Sequence, residues 1–127
     1  MTVDNGQLGA QLDDYLDAIF SLGDARDPVR MTDVALRLGT TKASVSYAVR
    51  GLSERGFVTH ERYGTLSLTD EGFELARGIH LRRLVFKRFL TECLGVSETD
   101  AERDAGRLEH AACAETSAAL ERFMAGK

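Results

Sequence analysis

Apolar residues recur at helical spacing through most of the chain. The first group consists of Leu12, Tyr15, Leu16, Ile19, Phe20 and Leu22. This spacing predicts one face of a helix that ends at Gly23 and the loop DARDPVR. The stretch MTDVALRLG predicts a short second helix with Thr32 as its N-cap and Gly39 at its end. After almost no linker, TTKASVSYAVRGLSERG predicts a third helix, which Thr41 caps and Gly56 closes.

The pattern then changes to the alternation that is typical of strands. In FVTHERYGTLSLT, the residues Phe57, Thr59, Leu66 and Leu68 alternate around RYGT, and this predicts a β-hairpin with Gly64 at its bend. Helices joined by a turn of three or four residues are typical of a helix-turn-helix, and the hairpin adds a wing.

Three further helices are predicted after the hairpin. Thr69 caps a helix of about six turns that runs to Gly95, with acidic residues in its first turn. Ser97 caps a helix through SETDAERDAGRLEHAAC, and ETSAALERFM predicts a last amphipathic helix. We therefore expect a mainly α fold, with a winged helix-turn-helix DNA-binding domain at residues 1–72 and a helical second domain at residues 73–127.

Composition narrows the class of protein. The formal charge of −4 argues against indiscriminate binding to polyanions, and no apolar run approaches the ~20 residues that span a bilayer. The N-terminus lacks the features of a signal peptide, so we expect a cytoplasmic protein with Cys93 and Cys113 as thiols. We expect no enzyme, because there is no glycine-rich phosphate loop and Glu109 with His110 lacks the HExxH spacing.

Small polar residues occupy the outer face of the third helix, whose N-terminal end would enter the major groove of DNA. The expected DNA contacts are Thr41, Lys42, Ala43, Ser44, Ser46, Tyr47 and Arg50 on the helix, with Arg62 at the tip of the hairpin. Five basic residues stand against three acidic ones between Met31 and Thr69, so this segment is net positive in an acidic chain. The pattern favours double-stranded DNA as the partner over a winged helix that contacts only protein.

Several segments taken together resemble the iron-dependent repressor family, which includes the diphtheria toxin repressor and the manganese-transport regulators. They are LDDYLDAIFSL, VRMTDVALRLGTTKASVSYAVRGLSERGFV, YGTLSLTDEG, FKRFLTECLGV and DAGRLEH, and the similarity runs roughly from Leu12 to Phe123. The resemblance implies a homodimeric transcription factor, usually a repressor, that binds palindromic operators more tightly with Mn²⁺ or Fe²⁺. It also implies a short architecture without the C-terminal β-barrel domain of larger members, whose helical second domain binds metal and dimerises.

The resemblance carries some of the family's metal ligands onto this chain. Asp14 and Asp17 match the ligand positions of the first helix, and the Glu-His pair matches Glu109 and His110. Two positions depart from the pattern. Arg83 stands where the family tends to have a histidine, and Gly106 stands in place of a cysteine or glutamate; neither can ligate a metal.

Three interpretations of this incomplete shell remain open. The retained donors could bind one metal, with water, Cys113 or His80 completing the shell, because both substitutes lie at helical spacing from positions of the site. Alternatively, Arg83 could take the place of the cation beside Glu109 or Asp14, giving a metal-independent regulator or one that responds to a small molecule. In the third interpretation the site is lost.

The resemblance also implies a dimer contact, which we assign to apolar residues of the last segments. These residues are Leu94, Leu108, Ala112, Leu120 and Phe123.

Overall fold

The structure is a computed structural model that describes residues 2–23 and 26–127, with side chains from residue 12 onward. The chain divides into two compact units, residues 1–78 and 79–127. In the described ranges, no helix is both long enough and apolar enough to cross a membrane.

The six helices and the two hairpin strands follow the predicted order in the described residues, and one short strand, β1, is additional. The elements are α1 (Thr2–Leu22), β1 (Val29–Arg30), α2 (Met31–Leu38), α3 (Lys42–Glu54), β2 (Val58–His60), β3 (Thr65–Leu68), α4 (Asp70–Arg88), α5 (Glu98–Ala111) and α6 (Ala114–Ala125). A five-residue π-helical segment, Phe89–Cys93, follows α4 directly. The mainly helical fold class with a small wing is confirmed.

The core of the first unit is formed by the apolar faces of its helices and by the inner side of its sheet. Its fully buried side chains include Leu16, Val34, Val45, Val49, Leu52, Val58 and Leu66. The three strands are antiparallel in the order β1-β3-β2, with Val29 opposite Leu66 and Val58 opposite Leu68. This core fixes α3 and the wing in one frame.

The start of α4 is attached to the end of α3 by close backbone packing. The Thr69 hydroxyl donates to the carbonyl of Gly56 at 2.6 Å and accepts from the N–H of Gly72 at 3.0 Å. A Cβ on Gly72 would lie 1.9 Å from the carbonyl oxygen of Phe57, so only glycine is accommodated there. Gly72, the last residue of the LTDEG segment, is therefore required on steric grounds.

The second unit contains the end of α4, the π-helical segment, α5 and α6. Its buried side chains include Ile79, Phe86, Leu90, Ala101, Ala105 and Met124. Phe89 and Phe123 meet edge to face with ring centroids 6.1 Å apart, and Cys93 Sγ lies 3.9 Å from Met124 Sδ.

The structure departs from the sequence predictions in several places. The helix α1 begins well before Leu12, and α2 begins at Met31 with Arg30 as its N-cap, so Thr32 was the wrong cap. The helix α5 ends at Ala111 and does not reach Cys113. The strand β1 was not predicted, and part of the loop expected after Gly23 lies outside the described residues.

Candidate nucleic-acid interface and metal centre

The N-terminal end of α3 is held by the predicted cap. Thr41 has extended backbone angles, and its Oγ1 accepts a hydrogen bond from the N–H of Ser44 at 3.0 Å. The Thr41 hydroxyl also donates to Ser44 Oγ at 3.0 Å. The cap satisfies one backbone donor at the helix start and fixes the position of both hydroxyl groups.

The polar face of α3 is exposed, as a surface that meets another molecule must be. The side chains of Thr41, Lys42, Ala43, Ser44, Tyr47 and Arg50 are exposed, and Ser46 is half-buried. Tyr47 keeps 70% of its surface accessible, whereas Val45 and Val49 on the opposite face are fully buried. The helix is therefore held by its apolar stripe while its polar face stays available.

The tip of the wing carries an aromatic residue that the sequence analysis did not select. Arg62 and Tyr63 lie in a short 3₁₀ turn between β2 and β3, and Tyr63 is 94% exposed. Tyr63 adopts φ 62°, a left-handed conformation that is uncommon for residues other than glycine. The signal in the sequence was an aromatic residue directly before Gly64 at the predicted bend.

In the second unit, Glu109 lies on the buried face of α5. Ala101, Ala105 and Glu109 follow one another at a spacing of four residues and are all buried. The side chain of Glu109 is only 4% exposed. A carboxylate in such a position is tolerated only when charged or hydrogen-bonding partners compensate for the lost water.

Two arginines of α4 supply this compensation. Arg83 Nε donates to Glu109 Oε1 at 3.2 Å, and Arg82 Nε donates to Oε2 at 3.3 Å. The Arg83 side chain is 15% exposed, whereas that of Arg82 is 43% exposed. The more buried pair, Arg83 with Glu109, is the one in which the interaction is least screened by water.

Gly106 makes room for the Arg83 guanidinium. A Cβ on Gly106 would lie 3.2 Å from Nη1 and 3.3 Å from Cζ of Arg83. These distances are shorter than an ordinary van der Waals contact of about 3.5–4.0 Å. The two positions that depart from the family pattern are thus in direct contact.

A third cation joins α4 to the other end of α5. Lys87 Nζ lies 3.0 Å from Glu102 Oε1 and 3.2 Å from Glu98 Oε1. Hydrogen bonds to Glu102 and then Glu98 raise the pKa of Lys87 above its usual value. In each of these ion pairs, α4 supplies the cation and α5 supplies the carboxylate.

The predicted metal ligands are divided between the two units, with Asp14 and Asp17 in the first and Glu109 and His110 in the second. No group of three or more His, Cys, Asp or Glu side chains suited to a metal ion occurs among the residues described. Asp14 and Asp17 are half-buried on α1, and His110 is half-buried in the last turn of α5. Because both oxygens of Glu109 accept from guanidinium groups, the arrangement does not fit a bound cation at this carboxylate.

The two predicted substitute ligands differ in their positions. His80 lies on α4 one turn before Arg83, as its spacing predicted. Cys113 lies beyond the end of α5, where it is the exposed N-cap residue of α6, so the helical spacing assumed for it is wrong. A hydrogen bond with the Thr116 hydroxyl, followed by backbone N–H groups of the first turn of α6, lowers the pKa of the Cys113 thiol.

The residues assigned to dimerisation retain accessible apolar surface. Leu94, Leu108 and Phe123 are 59%, 41% and 50% exposed, while Ala112 and Leu120 are half-buried. Leu81 and Leu84 of α4 add further exposed apolar area in the same unit, at 42% and 41%. The second unit therefore has exposed apolar side chains on α4, α5 and α6 as well as at Leu94.

These features define the class of a winged-helix transcriptional regulator with a helical second unit. Residues 7–66 match the iron dependent repressor N-terminal DNA binding domain, and residues 69–126 match the iron dependent repressor metal binding and dimerisation domain. The chain belongs to the iron-dependent repressor family.

Individual relatives support this assignment. An HTH-type transcriptional regulator of Methanocaldococcus jannaschii is 31% identical over 92% of this chain and 94% of its own length. The transcriptional regulator MntR of Salmonella typhimurium is 34% identical over 90% of this chain and 70% of its own length.

Among solved structures, a manganese-dependent transcriptional repressor in complex with manganese has a TM-score of 0.78 and 28% identity over 90% of this chain. The manganese regulator SloR, at 22% identity and a TM-score of 0.79, shows the shared fold. The chain spans about half the length of these two structures, at 52% and 53%.

Proposed function

We propose that this protein binds double-stranded DNA as a homodimer and regulates transcription from a palindromic operator, with repression as the usual outcome in this family. The observation that carries the proposal is the exposed polar face of α3, held by the Thr41 cap within a winged-helix frame. The match of the chain to the family's DNA-binding domain and to its metal binding and dimerisation domain supports the proposal.

The residues of this surface have distinct expected roles. Thr41, Lys42 and Arg50 are expected to bind phosphates. Ser44 and Ser46 are expected to reach phosphates or base edges, and Tyr47 to lie against a thymine methyl group. At the wing tip, Arg62 follows the backbone into the adjacent groove, and the exposed ring of Tyr63 adds a contact with sugar or base there.

Dimerisation sets the spacing of the two recognition helices. A C₂ dimer presents two copies of α3, so half-sites are expected about one helical turn of DNA apart or a multiple of it. The exposed apolar residues Leu94, Leu108 and Phe123 supply the self-complementary surface for this contact. Light scattering after size-exclusion chromatography tests the state, and a monomer at micromolar concentration contradicts the proposal.

DNA binding is tested by fluorescence anisotropy with fragments from the region upstream of the gene, at several salt concentrations. Arg50→Ala and Arg62→Ala are expected to weaken binding and to reduce the magnitude of the salt slope by ~1 each. Arg103→Ala is the matched control, because it removes an exposed arginine of the second unit that pairs with Asp100. Equal losses in all three variants would contradict the assigned surface.

The metal expected from the resemblance, Mn²⁺ or Fe²⁺, remains a prediction. It is supported by the match to the metal binding and dimerisation domain and by the retained Glu109–His110 pair. It would require Glu109 to leave both guanidinium groups. Calorimetric titration with Mn²⁺, Fe²⁺, Co²⁺ and Zn²⁺, repeated on His110→Ala, tests it; stoichiometric binding that the variant loses would support the metal site.

A further inference from the structure

We propose that Arg83 acts as a built-in cation that holds Glu109 in place of a metal ion, so that DNA binding by this protein does not depend on added divalent metal. Arg83 is a positioning residue in this proposal, since it acts through Glu109 and α5. The proposal rests on the DNA-binding function proposed above and concerns its regulation.

The burial of Glu109 carries the first step. With 4% of its side chain exposed, this carboxylate needs positive charge or donors close by, and Arg83 at 3.2 Å supplies both from a side chain that is itself 15% exposed. Arg82 donates to the second oxygen at 3.3 Å from the solvent side. Each oxygen of the carboxylate thus has a donor within the second unit.

Gly106 carries the second step. The Arg83 guanidinium occupies the volume that a side chain at this position would need, since a Cβ would lie 3.2 Å from Nη1 and 3.3 Å from Cζ. A cysteine or glutamate here would push the guanidinium away from Glu109. Arg83 can therefore hold this position only if residue 106 is a glycine, even though Gly106 has no side chain that could hydrogen-bond to Glu109.

The consequence for regulation follows from mass action. A metal ion in solution binds according to its concentration and can be removed by a chelator, whereas a guanidinium on α4 is present at every moment. Arg83 and Lys87 link α4 to α5 by their ion pairs with Glu109, Glu98 and Glu102. Both cations are side chains of the protein, so neither can dissociate from it. A metal ion that bound Glu109 would first have to displace two arginines.

The first experiment compares DNA affinity of the wild-type chain in excess EDTA and in excess Mn²⁺ at constant ionic strength. We expect the two dissociation constants to differ by less than about fivefold, the lower end of typical coupling between sites. A larger gain in affinity on addition of Mn²⁺ would overturn the proposal.

Variants of Arg83 identify the residue responsible. Arg83→Met, measured in EDTA, is expected to lose at least about fivefold in DNA affinity, and Arg83→Lys is expected to recover part of it, because it restores the charge but not the planar guanidinium. Arg88→Met is the matched control, since Arg88 is an exposed arginine of the same helix that pairs with Glu92 one turn further along the chain. Wild-type affinity of Arg83→Met in EDTA would contradict the proposal. Should Arg83→Met not fold, Gly106→Val displaces the guanidinium without removing its charge and is expected to show the same loss.

A DNA-independent measurement separates failure of this proposal from failure of the proposed function. Absence of DNA binding in both EDTA and Mn²⁺ would refute the function. Calorimetry and thermal denaturation with Mn²⁺ then test directly whether Arg83 takes the place of a metal ion at Glu109. A melting temperature that Mn²⁺ leaves unchanged supports it, whereas stoichiometric Mn²⁺ binding that Glu109→Gln abolishes overturns it.

Discussion

Substitution of Gly106 by alanine tests whether the Arg83 guanidinium really occupies the space above this glycine. In a helix interior, glycine is about 1 kcal/mol less favourable than alanine, so the change would stabilise α5 if nothing stood in the way. The added Cβ would instead lie 3.2 Å from Nη1 and 3.3 Å from Cζ of Arg83. The guanidinium must therefore move away by a few tenths of an ångström.

This displacement of the guanidinium stretches a hydrogen bond to Glu109 that is already long. Arg83 Nε lies 3.2 Å from Glu109 Oε1, close to the limit of hydrogen-bonding distance, so a small displacement breaks the contact. A hydrogen bond to a charged group contributes about 1.5–3 kcal/mol. Subtracting the gain in helix propensity, we expect Gly106→Ala to destabilise the second unit by about 0.5–2 kcal/mol.

The same substitution in an Arg83→Ala background has the opposite expected sign. Removal of the arginine side chain empties the space, so Gly106→Ala should then stabilise by about 1 kcal/mol, and the coupling energy of the cycle should be about 1.5–3 kcal/mol. Gly51→Ala in α3 is the reference, because no atom lies within 4 Å of a Cβ at that position. It should stabilise in both backgrounds.

Urea denaturation followed by far-ultraviolet circular dichroism measures all these variants. The result that refutes the reasoning is additivity: if Gly106→Ala changes the free energy of unfolding equally in both backgrounds, within about 0.5 kcal/mol, the guanidinium does not lie against Gly106. The link between the two positions would then be lost, and the inference about regulation with it.

Three further predictions concern stability. Gly72→Ala places a Cβ 1.9 Å from the carbonyl oxygen of Phe57, and because the backbone must move we expect a loss of about 1–3 kcal/mol by urea denaturation; unchanged or increased stability would contradict the packing. Thr41→Ala removes the cap of α3 and should cost about 1 kcal/mol, with Thr41→Ser restoring stability. Hydrogen bonds to two glutamates raise the pKa of Lys87 above 10.5, so its contribution is complete below pH 10.5 and is lost as the pH rises through the higher folded value. The stability difference between wild type and Lys87→Met should accordingly be constant from neutral pH to about pH 10.5 and shrink above it, and a difference that grows in this alkaline range would contradict the assigned pair.

The helices of the first unit were predictable because local signals agree there. Apolar spacing marks the buried face of α3, and Thr41 at its start has the side chain and the backbone conformation of an N-cap. The wing was predictable from alternation around Gly64. The strand β1 was not, since two residues have no periodicity and their pairing with β3 depends on residues far along the chain.

The error at the start of α2 has a related cause. Threonine is a residue type that favours the N-cap position, which is why Thr32 was selected. Arg30 is extended because it pairs with Thr65 in the sheet, and the helix begins directly after Arg30. Tertiary pairing thus overrides local preference for a cap.

The candidate metal centre was only half predictable. The sequence offered Glu109 or Asp14 as the partner of Arg83, and the hydrogen bond from Arg83 to Glu109 is present in the structure. Arg82 was missed, because spacing alone does not show that two adjacent residues of α4 reach the two oxygens of one carboxylate. The role of Gly106 was hidden as well, since an absent side chain leaves no pattern from which its neighbour could be identified.

The two departures from the family pattern are best understood as one change. With a bulky residue at position 106, the guanidinium of Arg83 would lack room beside Glu109. With glycine at position 106 but no arginine at position 83, the buried carboxylate would lose the more buried of its two guanidinium partners. Either substitution alone removes a potential ligand and adds an energetic penalty, whereas the two together give Glu109 a permanent partner. A chain that carries both therefore exchanges a removable charge for a fixed one, and any signal that controls its DNA binding must act at a place other than Glu109.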